Sequence, residues 1–129
     1  MTAISYLDAS AIVKLVIDEP GSSTLLQWYH ESERVVTSRI GLVETRRAVA
    51  RRDHDHDQLE AVLDRIAVFE LDEDIGLRAG SIVPASVRSL DAIHIATALA
   101  IPVLDAFVTY DDRQASAARA AGLPVVRPA

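Results

Sequence analysis

With 129 residues, half of them hydrophobic and a quarter charged, the chain is long enough for one packed core and is neither disordered nor strongly basic, its formal charge being −6. It has no cysteine, which excludes disulfides, thiolate zinc sites and cysteine nucleophiles and fits a reducing cytoplasm. The amino-terminal apolar run has no basic residue before Lys14 and is broken by Asp8, so neither a signal peptide nor a membrane span is expected and residues 1–129 read as one soluble domain.

The run from Ile4 to Ile17 changes from strand-like to helix-like patterning at Asp8. Ile4, Tyr6 and Leu7 suit a short buried strand, Ser10 suits the cap of the following helix, and Ala11 to Ile17 is apolar apart from Lys14. Ligands of open α/β sheets bind at the carboxyl ends of the strands, which would point Asp8 into a functional crevice. The plainer alternative is a helix-start acid favoured by the dipole. Asp18-Glu19-Pro20-Gly21 ends the helix. A second helix is expected from a cap at Ser22 or Ser23 to about Ser32, with Leu25, Leu26, Trp28 and Tyr29 as its apolar stripe. Together with Ile12, Val13, Leu15, Val16 and Ile17, this is more apolar surface than one core face is expected to hide, which predicts an interface.

A strand over Val35–Thr37 leads into a helix capped by Ser38 and running to about Arg52. Its arginines, with Arg39, Arg46, Arg47, Arg51 and Arg52 gathered together, offer forked hydrogen bonds to phosphate or simply solvate a helix face. Glu44 shares a face with Ile40 and Ala48, so it either points inward or pairs at the surface with Arg47 or Arg51. Asp53-His54-Asp55-His56-Asp57 alternates metal-ligand types, but at a helix start these side chains splay, and a solvated capping turn is the expectation. Leu59, Val62, Leu63 and Ile66 form the core stripe of the next helix. A strand over Val68–Leu71, a helix over Asp72–Ile82 and a loop over Val83–Ser86 follow.

Ser89 to Ala100 is apolar on nearly every face and is expected as a buried helix with Asp91 in its first turn. A carboxylate there needs the dipole, a donor or a cation; His94 is either that partner or a satisfied core histidine. Ala106–Tyr110 reads as the fourth strand, ending on Asp111-Asp112 before a helix over Arg113–Ala121, and Leu123–Val126 as the fifth. Thr109 and Asp111 are two apart, so on an extended strand they share a face, leaving Asp112 to cap the helix. The alternation of elements predicts an α/β fold, a three-layer α/β/α sandwich around a mostly parallel sheet of about five strands.

Asp8, Glu44, Asp91 and Asp111 are thus assignable to one end of a parallel sheet. Carboxylates so clustered repel and raise one another's pKa unless a cation compensates, and hard oxygen donors suit Mg²⁺ or Mn²⁺. A non-catalytic doubly wound binding or signalling module, receiver-like in form, also gathers acids around Mg²⁺; it is disfavoured because Asp8 stands alone after the first strand and Lys14 is the only lysine.

Tyr6-Leu7-Asp8-Ala9-Ser10-Ala11, Glu44 in the third helix, Leu90-Asp91-Ala92-Ile93-His94-Ile95-Ala96-Thr97-Ala98 and Val108-Thr109-Tyr110-Asp111 occur in that order. In these motifs, over nearly its whole length, the chain resembles the PIN-domain ribonucleases, most closely the VapC-type toxins of bacterial type II toxin–antitoxin pairs. The resemblance implies a PIN-like sandwich, a Mg²⁺-dependent endoribonuclease that cleaves structured RNA such as tRNA or rRNA, a homodimer, and neutralisation by a VapB-type antitoxin seated on the first two helices. It further implies Asp8, Glu44, Asp91 and Asp111 as the acidic metal site, supported by Thr109 and Ser10, with Asp112 as the neighbour competing for the fourth acid's place. A degenerate PIN scaffold that only binds a partner is the alternative within the family.

Overall fold

The computed structural model describes residues 2–52 and 56–129. Strands β1 (Ile4–Leu7), β2 (Arg34–Ser38), β3 (Ile66–Phe69), β4 (Ala106–Val108) and β5 (Val125–Val126) alternate with helices α1 (Ala9–Val16), α2 (Ser22–Glu31), α3 (Arg39–Arg51), α4 (His56–Leu63), α5 (Glu73–Gly80), α6 (Ser89–Leu99) and α7 (Asp112–Ala120). The strands form one sheet in the order β3-β2-β1-β4-β5, and every pairing is parallel. Parallel neighbours require crossovers, and the helices supply them, covering both faces of the sheet.

Side-chain alternation divides the core in two. Leu7, Val35, Ala106 and Val108 pack on one face with α1 to α4, whereas Tyr6, Val36 and Phe107 pack on the other with Ile95 and Ala98 of α6 and Ala118 of α7. The result is the expected three-layer α/β/α sandwich. The central strand β1 is held by β2 on one side, Tyr6 lying opposite Val36, and by β4 on the other, Leu7 lying opposite Val108. The amide of Asp8 donates to Val108 O at 3.2 Å, one step past the end of β1. Both central strands therefore deliver their following loops to one edge of the sheet. Among the described residues no helix is long and apolar enough to cross a membrane.

Several expected details are corrected. Helix α1 is capped by Asp8, not Ser10, because the chain turns helical immediately after β1. Gly21, at φ +90°, holds the capping position of α2, while the Ser22 hydroxyl donates to Lys14 O and accepts from the Glu19 amide, tying the α1–α2 turn. Ile66 belongs to β3, which starts and ends two residues earlier than expected, since α4 stops at Leu63. Strand β4 ends at Val108, so Thr109 and Tyr110 lie beyond it. The apolar residues of α1 and α2 are not surplus: Ile12, Leu15, Val16, Ile17, Leu25 and Tyr29 are buried, and Val13, Leu26 and Trp28 pack against the same cluster. A helix flanked by α2, α3 and α4 has several faces to bury, which a one-face estimate underrated. The expectation of a turn at Asp53–Asp57 falls mainly outside the described residues.

Phe107 is fully buried and stacks on Tyr6 at 5.2 Å between ring centroids. Phe107→Ala should cost about 3–5 kcal/mol of stability by loss of transfer energy and opening of a cavity, measured as a shift in urea unfolding; a loss well under that range would mean the layer collapses around the gap.

Candidate functional site

Asp8 follows β1 and opens α1, and both roles fix its side chain. Its Oδ1 accepts the Ala11 amide at 3.1 Å, the helix cap, and the Ser10 hydroxyl at 2.6 Å; its Oδ2 accepts the Thr109 hydroxyl at 2.5 Å. Three of the roughly four acceptor positions of a carboxylate are thus filled. Asp8 is 3% exposed, and burial pushes its carboxyl above the ordinary range, against the hydrogen bonds from Ser10, Thr109 and the Ala11 amide, which pull it down.

Thr109 is the junction. Its one hydroxyl proton goes to Asp8, and its oxygen accepts the Asp111 amide at 3.1 Å. The Ser10 hydroxyl likewise gives its proton to Asp8 and accepts the Tyr110 amide at 2.9 Å. The 3.3 Å approach of the two hydroxyl oxygens then has no proton left to share and is a packing contact. These bonds lock the loop after β4 to the start of α1, so Asp8 and Asp111 stand at the ends of adjacent strands, linked through one hydroxyl.

Asp111, expected as the fourth acid beside a capping Asp112, is itself the cap: its Oδ1 accepts the Gln114 amide at 3.0 Å. Asp112 lies in the first turn of α7, 93% exposed, and pairs with Arg127 at 2.8 Å. The reason is the early end of β4, which moves the helix start back by one residue. Asp112 is thereby taken away from the cluster.

Glu44 meets neither Arg47 nor Arg51. Its Oε1 lies 2.6 Å from His94 Nε2, and His94 Nδ1 lies 2.6 Å from the Tyr6 hydroxyl. The carboxylate can only accept, so Nε2 carries the hydrogen, Nδ1 accepts, and Tyr6 donates. Burial pushes the Tyr6 phenol up, which keeps that donor protonated. His94 is the satisfied core histidine that was one of two expectations; its partners are Glu44 and Tyr6 rather than Asp91. Gly41 makes room for it: a Cβ there would stand 2.3 Å from Thr37 Oγ1 and 3.3 Å from His94 Cε1. Tyr6 and Gly41 escaped the sequence reading because one looked like strand filling and the other like an ordinary helix residue.

Asp91 sits half-buried in the first turn of α6. Its carboxyl is pushed up chiefly by burial, then by the charge of Asp111 and more weakly by Glu44, with Arg88 opposing. Asp91 thus feels the charge of both Asp111 and Glu44. Among the described residues no three His, Asp or Glu side chains are gathered closely enough to hold a metal ion as they stand. The donors are nonetheless all hard carboxylate oxygens, and repulsion between Asp91 and Asp111 is the kind that a bound cation relieves.

A family model described as "PIN domain" matches residues 5–120. The chain is similar to Ribonuclease VapC47 of Mycobacterium tuberculosis, at 39% identity covering 95% of this chain and 96% of that one. It is also similar to Ribonuclease VapC46 of the same species, at 36% identity covering 99% of each. Among solved structures it resembles M. tuberculosis VapC20, described as a Sarcin-Ricin loop cleaving toxin, with a TM-score of 0.75 at 22% identity over 96% of this chain and 99% of that chain. VapBC2 of Rickettsia felis, solved bound to a DNA fragment from the promoter, gives a TM-score of 0.69 at 16% identity over 96% and 98%.

Two outcomes are expected. The native state holds the Asp8 proton more tightly than the unfolded chain does, so this group contributes stability below the ordinary aspartate pKa of about 3.9 and loses it as pH rises through the raised native value. In chelator, the wild-type chain should therefore lose stability relative to Asp8→Asn as pH rises; parallel urea-unfolding profiles for the two would refute the raised value. Asp111→Ala removes a cap and should cost about 0.5–2 kcal/mol, whereas Asp112→Ala breaks only an exposed pair and should leave the melting temperature nearly unchanged; the opposite order would return the cap to Asp112.

Proposed function

The chain belongs to the PIN-domain family, and from that premise we propose that it is a divalent-metal-dependent endoribonuclease of the VapC type, a growth-inhibiting toxin neutralised by a VapB-type antitoxin. It is a nuclease acting on RNA: relatives at 35–40% identity over nearly the whole chain carry the name ribonuclease. The observation that carries the mechanistic reading is the Thr109 hydroxyl joining the Asp8 carboxylate to the Asp111 backbone amide just past the carboxyl ends of β1 and β4, where open parallel sheets place their chemistry.

The acids proposed to hold the ion are Asp8, Asp91, Asp111 and Glu44, with Mg²⁺ favoured and Mn²⁺ able to replace it because every donor is a carboxylate oxygen. When bound, such an ion supplies Lewis acidity to water and to the scissile phosphodiester. The chain's own residues do the rest. Ser10 and Thr109 orient the buried Asp8 carboxyl and favour its charged form against the effect of burial. His94, fixed by Tyr6, orients Glu44 through Oε1; Oε2, which has no hydrogen-bond partner among the described residues, would bind the ion or take a proton from water. Asp111 keeps one oxygen on its helix cap and the other for the ion. Asp112 has no part in this reading.

Residues 1–129 are read as one domain. A homodimer and a structured RNA substrate, tRNA or rRNA, complete the proposal, and the antitoxin follows by analogy with the VapBC pairing named for a protein of the same fold.

Cleavage of RNA should stop in chelator and return with Mg²⁺ or Mn²⁺. Asp91→Asn should lower the rate by about 100-fold or more, the scale of a single charge-stabilising group in an active site, without lowering the melting temperature. Metal-independent cleavage, or an unimpaired Asp91→Asn, would reject the mechanism; RNA binding by the wild type without any cleavage would leave a non-catalytic scaffold.

A further inference from the structure

We propose that the RNA backbone crosses the candidate centre between two arginine pairs, Arg47 with Arg51 on one side of the first turn of α6 and Arg88 with Arg113 on the other, so that phosphates on both sides of the scissile bond are held. This rests on the ribonuclease reading above and adds to it the path of the substrate.

The arginines fall into two groups. Arg39, Arg46, Arg52, Arg78 and Arg127 are ion-paired, to Glu70, Glu60, Glu19, Asp74 and Asp112 respectively. Arg65 donates to the carbonyls of Tyr29 and Ser32. Among the described residues, Arg34, Arg47, Arg51, Arg88, Arg113 and Arg119 have no ion pair. Arg119 lies in the last turn of α7, where a cation suits the helix dipole. Arg34 opens β2, at the opposite end of the sheet from Asp8. The remaining four line cavities that contain a candidate acid.

One cavity, of about 300 Å³, is lined by Glu44, Arg47, Arg51 and Leu90. Another, of about 390 Å³, is lined by Arg88, Asp91, Arg113 and Ser116. Leu90 and Asp91 are consecutive, so the first turn of α6 is the ridge between the two. Glu44 and Arg51 also border a third cavity with Ser10, whose hydroxyl holds Asp8. A strand crossing that ridge from one arginine pair to the other runs from the cavity of Glu44 to that of Asp91.

Apart from the attraction between Arg88 and Asp91, helix electrostatics disfavour these four positions. Arg47 and Arg51 are four residues apart on one face of α3, where like charges repel. Arg88 occupies the N-cap of α6 and Arg113 the first turn of α7, ends where a cation opposes the dipole. An anion in each cavity reverses that sign, and the guanidinium fork matches phosphate. The net charge of −6 makes such local attraction necessary for a polyanionic substrate.

The test is fluorescence anisotropy of dye-labelled bulk tRNA in chelator, titrated over a range of KCl. Arg47→Gln with Arg51→Gln, and Arg88→Gln with Arg113→Gln, should each weaken binding about tenfold and reduce the slope of log affinity against log salt by about 1.4–1.8, two phosphate contacts' worth. Arg34→Gln with Arg119→Gln should change neither, and lysine at all four flanking positions should retain the slope, since charge is kept. Melting temperatures check that each variant is folded. Flanking variants that bind like wild type, or a control pair that loses as much, would overturn the proposal. A protein that binds in this way but does not cut RNA with metal added refutes the nuclease reading and leaves the path standing; one that cuts at full rate without the four arginines does the reverse.

Discussion

A carboxylate buried at the end of the central strand is the constraint on which the rest of the structure turns. Removed from water, the Asp8 charge is costly, and donors from two separated segments offset the cost: Ser10 and the Ala11 amide from α1, and Thr109 from beyond β4. Because the donors come from elements distant in sequence, they also fix where those elements meet. The same hydroxyl that holds Asp8 receives the Asp111 amide, so the placement of the second acid follows from the solvation of the first.

The opposite face of the sheet reaches the same edge by another route. Phe107 and Tyr6 stack within the core, Tyr6 fixes His94, and His94 fixes Glu44. Core packing and the orientation of a surface-facing acid therefore share one chain of contacts. Gly41 is part of it, since only a residue without a side chain lets α3 come this close to Thr37 and His94. Asp91 is held half-buried beside the charges of Asp111 and Glu44, an arrangement that favours a ligand over maximal stability.

Charge around this edge is sorted. Arg39 and Arg46 of α3 and Arg52 at its end are paired with Glu70, Glu60 and Glu19, while Arg47, Arg51, Arg88 and Arg113, which border the acids, have no ion pair among the described residues. A negatively charged chain can in this way present a locally cationic rim around an anionic centre, which a phosphodiester backbone matches and an isolated metal site would not require.

The sequence by itself determined the alternation of strands and helices, the burial of both sheet faces, the position of Asp8 at the strand-to-helix switch, and the cap at Ser38, because these depend on apolar periodicity and on donors within four residues. It also carried the family, through short motifs in a fixed order. Only the tertiary structure decided which acid of the Asp111-Asp112 pair caps α7, because that depends on where β4 stops, and a strand's end is set by its neighbours in the sheet. The same holds for the partner of Glu44, since His94 is 50 residues away and helix spacing speaks only of neighbours within a turn or two. The fate of the apolar residues in α1 and α2 was decided there as well: how many faces a helix buries is a property of what packs around it, and no local pattern counts those neighbours.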